Sequence, residues 1–132
     1  MPKDSRPVIL IVEDDADDVA MITAGLTVNL AGRVDIVVEH VMFNDTELVN
    51  AKIRGSEGRV KLVIVSGLHG QNETVIRVIK GQWPQLAVIA TSGEHHYIRT
   101  GLQAGANHGF YKSDFGKRDV VQLVVLPLIA RE

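Results

Sequence analysis

Aliphatic residues gather in four short runs along the chain: VILIV at 8–12, DIVV at 35–38, KLVIV at 61–65 and LAVIAT at 86–91. A weaker fifth run, GFYK, occupies 109–112. The runs are rich in β-branched residues, and the first, third and fourth show no polar alternation. Strands covered on both faces read this way, as in a parallel sheet sandwiched between helices. The segments between them have helical spacing. Asp14 or Asp15 can cap a first helix with Val19, Ile22 and Leu26 on one stripe. Asn44 or Asp45 can cap a second, with Leu48, Val49 and Ile53. Asn72 opens a third with Val75, Ile76 and Ile79, which Gly81 and Pro84 end. Glu94–Ala104 gives a fourth with Ile98 and Leu102, closed by Gly105, and residues 116–130 give a fifth. Strand and helix alternate five times with no repeat, linker or low-complexity tract. Right-handed crossovers then put helices on both faces of one parallel sheet.

Ligand sites of such sheets lie at the carboxyl ends of the strands. The first strand ends in Glu13-Asp14-Asp15, the third in Ser66-Gly67, the fourth in Thr91-Ser92-Gly93 and the fifth in Lys112-Ser113. Carboxylates, hydroxyls and an ammonium converging on one crevice suit a hard cation and a phosphate-like anion. An acidic triplet standing alone would only cap a helix and favour its dipole.

These motifs resemble the receiver domain of two-component response regulators. VILIVEDD is similar to that family's first strand and acidic pair, with Glu13 and Asp14 in the metal-side positions. AVIATSG is similar to its fourth strand, with Ser92 in the place of the Ser/Thr that contacts the phosphoryl group. LQAGANHGFYK is similar to the end of its fourth helix and its fifth strand, with Lys112 matching the family's lysine. The resemblance implies a flavodoxin-like α/β fold with strand order 2-1-3-4-5. It implies a single receiver-like domain over 1–132, with its core at about 8–129.

The departures from that pattern fall at one place. Ser66 stands where the family's third strand ends in the phosphate-accepting aspartate, and a hydroxyl cannot form an acyl phosphate. Its loss leaves Glu13 and Asp14 as a weak, vestigial Mg²⁺ site at most, and no other cofactor is implied. The next loop reads GLHGQNE without the family's proline, and Ser113 follows Lys112 where a proline is usual. The family's aromatic switch falls on Gly109, with Phe110 or Tyr111 one or two residues on. Together these imply a degenerate phosphorylation pocket of Glu13, Asp14, Ser66, Ser92 and Lys112. Lys112 is expected to pair with Asp14 or Glu13 and to hold one conformation fixed. The expected role is non-enzymatic signalling through protein contacts, with Ser66 modified by a kinase, or metal or phosphate in the residual pocket, as the alternative.

The remaining features narrow the classes. A net charge of −2 points away from nucleic acid or an anionic membrane as partner. With no cysteine there are no disulfides and no thiolate chemistry, and the expectation is a cytoplasmic domain. His69, His95 and His96 lie on the loops after strands 3 and 4 and read as solvated side chains rather than a metal site; His40 and His108 fall elsewhere. Eight of the ten residues from Val120 to Ile129 are aliphatic, more than an amphipathic helix needs. Either this helix packs unusually deeply, or it leaves an aliphatic face exposed. On a regular 100° step the sheet claims Val120, Leu123 and Val124, leaving Val121, Val125 and Leu128 as the interaction face. The partner is another signalling protein, a fused output or kinase domain, or a second copy through the helix 4–strand 5–helix 5 face.

Overall fold

A computed structural model describes residues 5–41, 45–67 and 72–130. The elements are β1 (Val8–Val12), α1 (Ala16–Leu30), β2 (Val37–Val41), α2 (Thr46–Gly55), β3 (Val60–Ser66), α3 (Asn72–Gln82), β4 (Ala87–Ser92), α4 (His95–Gln103) and β5 (His108–Tyr111). A 3₁₀ turn, Lys112–Gly116, follows β5. The last helix runs continuously through α5 (Arg118–Val120), a π-helical turn (Val121–Val125) and α6 (Leu126–Ile129). All five strands are parallel, in the order β2-β1-β3-β4-β5 expected from the sequence. None of the described helices is long and apolar enough to cross a membrane.

The three apolar runs without alternation became the central strands, and β1 and β4 are buried along their whole length. Their side chains feed two cores. Val8, Leu10, Val12, Val63, Val65, Val88 and Ala90 meet Val49 and Ile53 of α2 and Val75, Ile76 and Ile79 of α3. On the other face Ile9, Ile11, Leu62, Ile64 and Ile89 meet Val19, Ile22 and Leu26 of α1 and the last helix. Caps behave as their chemistry dictates: Asp15 accepts from the amides of Asp17 and Asp18, and Asp45 from that of Leu48. Asn44, the alternative cap, lies outside the described residues, as does His69 with the centre of the GLHGQNE loop.

Four expectations need correction. The second strand is not DIVV at 35–38 but Val37–Val41. It is an edge strand and less covered than the central ones, so it holds Glu39, which pairs with Lys52 of α2, and exposed His40, and its pattern is diluted. Lys112 opens the 3₁₀ turn instead of ending β5. Leu102 is 44% exposed, because the buried side of α4 is built on Ile98 and Gly101.

The fourth correction reverses the faces of the last helix. Val121 and Val125 are completely buried in the α1-side core, with Ile129 behind them, while Leu123 is 74% exposed. Val120, Val124 and Leu128 are half-buried. A helix that is aliphatic almost all round does not declare which row faces the core, and the row that does so here contains a π turn, in which the amide of Leu126 bonds back five residues to the carbonyl of Val121. Such a turn holds more residues than an α turn, so positions four apart stay in line instead of drifting around the axis. It comes immediately before Pro127, which has no N–H for a regular helical bond. Val121 and Val125 therefore cannot form an interaction face, and Leu128 contributes to one only in part.

Helix α4 is seated unusually close to the sheet. A Cβ on Gly101 would come within 2.4 Å of the Ala90 Cβ, and one on Gly109 within 2.5 Å of the Ile98 Cγ2. Neither neighbour is a flexible chain end. Gly101→Val is expected to cost ~2–3 kcal/mol through overpacking, read as a lower denaturant midpoint. A variant as stable as wild type would mean that α4 can slide.

Candidate functional site

The carboxyl ends of β1, β3, β4 and β5 open into one crevice of about 670 Å³. It contains Glu13, Asp14, Ser66, Ser92 and Lys112, together with Asp15, Asp18 and Tyr97. The sheet register explains this convergence. Ser66 lies opposite Thr91, and Ser92 opposite Tyr111, so each strand delivers its terminal polar residue to the same level.

Lys112 is positioned from two directions. Asp114 in the 3₁₀ turn accepts from the Tyr111 amide at 2.9 Å, which fixes the exit from β5. The turn also packs onto α1 at Gly25, where a Cβ would stand 2.3 Å from the Phe115 carbonyl oxygen. Asp18 lies seven residues before Gly25, on the same side of α1. The Lys112 Nζ consequently reaches Asp18 Oδ2 at 2.5 Å and Glu13 Oε2 at 2.8 Å. Asp18 is the site residue that the sequence did not reveal, since an acid in the first turn of a helix is already explained by the helix dipole.

The Glu13 carboxylate is 1% exposed and fully engaged. Its Oε1 accepts from the amides of Asp14 and Asp15 at 3.0 and 3.2 Å, turning it into the start of its own loop. Its Oε2 makes the ion pair with Lys112. Asp14 takes no part in the Lys112 pairing; of the two carboxylates expected there, Glu13 is the partner. Burial pulls the Lys112 ammonium down, but the hydrogen bonds and charges of Asp18 and Glu13 outweigh it and raise its pKa above the ordinary 10.5.

Ser66 is 2% exposed and lines the crevice, and the Tyr97 ring would lie 3.1 Å from any Cβ placed on the adjacent Gly67. Ser92 accepts from the Glu94 amide at 3.0 Å and so serves the entry to α4. Buried Asn72 donates to the Tyr97 carbonyl at 2.9 Å and ties α3 to the same turn. Where the family's aromatic switch was expected, Gly109 is covered by Ile98 and Leu102 of α4. Phe110 packs edge-on against buried Phe115 at 5.9 Å, and Tyr111 is 42% exposed. His95 and His96 sit exposed on the first turn of α4, and His96 leans on Tyr97 at 5.2 Å. Among the described residues no group of three or more His, Asp or Glu is arranged to hold a metal ion.

No protein-family model and no curated protein matches the sequence. Solved structures do resemble the fold. TadZ, a CheY-like protein from Pseudomonas aeruginosa, superposes with a TM-score of 0.72 at 12% identity, over 96% of this chain and 95% of that one. The receiver domain of NtrX from Brucella abortus gives 0.68 at 22% identity, over 94% and 99%. A LuxR family DNA-binding response regulator from Silicibacter pomeroyi gives 0.64 at 27% identity, over 93% and 91%. The chain thus has the fold of CheY-like response-regulator receiver domains.

Proposed function

We propose that this receiver-fold chain is a non-enzymatic signalling module that works by binding other proteins and does not use aspartyl phosphate. The observation carrying the reading is Ser66, which ends β3 in the position of the family's phosphate acceptor. Two further features support it. Lys112, which matches the residue that meets a phosphoryl group in the family, is already paired with Glu13 and Asp18. A serine supplies no central carboxylate, and Glu13 is already tied to two backbone amides and to Lys112, so the residues present do not fit the family's Mg²⁺ site. Modification of Ser66 by a Ser/Thr kinase is disfavoured by its burial, because a kinase needs the hydroxyl in an accessible segment.

The partner is another signalling protein or a fused output or kinase domain, or else a second copy of the chain. Its contact face is α4 and β5, where Leu102 and Tyr111 are the large exposed side chains. The test is to record amide spectra with millimolar Mg²⁺, then with added beryllofluoride, and after incubation with acetyl phosphate. The three spectra should superimpose, and intact mass should show no phosphate. A saturable shift centred on Ser66, Ser92 and Lys112, or a phosphate adduct, would overturn the proposal.

A further inference from the structure

We propose that a second cleft, at the amino-terminal ends of β3 and β4, binds a small amphipathic organic anion: an aromatic or alkyl body carrying a carboxylate, sulfonate or phosphate head. It lies at the opposite end of the strands from Ser66 and is independent of the reading above. The cleft measures about 570 Å³ and is open to solvent; apolar side chains of Trp83, Pro84, Leu86 and Leu128 line it together with Arg54 and Lys61. That volume lies inside the roughly 300–1,000 Å³ of ordinary small-molecule sites, which combine apolar walls with a few polar groups.

Charge selects the ligand. Among the described residues no carboxylate lines the cleft, and neither the Arg54 nor the Lys61 side chain has an ion-pair or hydrogen-bond partner there. An anionic head placed between them would gain charge-assisted hydrogen bonds that nothing in the chain now supplies. The backbone is arranged to the same end. Val8 pairs with Val60 but Ile9 pairs with Leu62, so Lys61 is the extra residue of a β-bulge. A bulge re-aims a side chain out of the strand's alternation. Here it puts a cation at the cleft, in a strand whose other six residues are buried. Trp83 packs partly against the α2–α3 core and turns the rest of its surface to the cleft, offering a flat surface to a ring.

Trp83 is the one tryptophan in the chain, so its fluorescence reports on this cleft directly. The probe is anilinonaphthalene sulfonate, compared with N-phenylnaphthylamine, which has the same rings and no charge. Titration of the sulfonate should give saturable energy transfer from Trp83, with amide shifts confined to the α2–β3 turn and residues 82–86. Arg54→Gln with Lys61→Gln should weaken the sulfonate about tenfold and leave the neutral compound unchanged. If the double variant does not fold, Arg54→Gln alone, at an exposed position, carries the comparison. Absence of saturable transfer, equal loss of both compounds, or shifts centred on another part of the surface would each overturn the proposal.

Discussion

Val125→Glu is expected to abolish cooperative folding, whereas Leu123→Glu, two residues away on the same helix, should leave the melt within about 0.5 kcal/mol of wild type. Val125 is fully enclosed by α1 and the sheet, with no donor placed to receive a carboxylate. Burying such a group costs at least several kcal/mol, even when it protonates to avoid the charge. The whole stability of a domain this size is only ~5–15 kcal/mol. Leu123 is 74% exposed and loses almost no contact. Circular dichroism and urea titration of the two variants decide the matter. Damage from Leu123→Glu with tolerance of Val125→Glu would mean that the helix turns its opposite face to the core.

Lys112→Ala should lower stability by ~2–3 kcal/mol, because it strands the buried Glu13 carboxylate without its counter-charge. Adding Glu13→Gln should recover part of that loss, as expected when both sides of one interaction are removed. The pH dependence follows from the direction of the lysine's shift. Its folded-state pKa is raised above 10.5, so its contribution is fully present below that value. The contribution is lost as pH rises through the higher folded value. The gap in urea midpoint between wild type and Lys112→Ala should therefore be constant from neutral to mildly alkaline pH and close only in strong alkali. Equal midpoints at neutral pH would show that Lys112 is not held by Glu13 and Asp18 at all.

What could be read from the chain depended on how strongly burial constrains each segment. The central strands declared themselves because both faces are covered, and a polar residue in VILIV or in LVIV at 62–65 would lack a partner. The edge strand β2 hid two residues further along, since one side of its surroundings is water and accepts Glu39 and His40. In the crevice, the strand ends supplied Glu13, Asp14, Ser66, Ser92 and Lys112, because parallel strands in register deliver their last residues to one place. Asp18 escaped because its partner is ninety-four positions away, through a turn whose approach depends on a glycine. The buried face of the last helix was not legible because aliphatic residues lie on every side of it, so the hydrophobic pattern carries no phase. The bulge at Lys61 was equally silent, for one inserted residue leaves the hydrophobic run looking intact.

The seat of α4 has a bearing on how any docking molecule would read that face. A two-state element needs two packings of similar energy, and the molecule that selects one of them has its apparent affinity reduced by the fraction of time that packing exists. With Gly101 pressed on Ala90 and Gly109 pressed under Ile98, α4 is closely seated, and any alternative packing would have to give up these contacts. If that seat is the only packing, a molecule docking there would meet the competent shape at every encounter. Occupancy would then depend on how much of the protein is present and on intrinsic affinity, so such a surface would transmit abundance and carry no memory of chemical history.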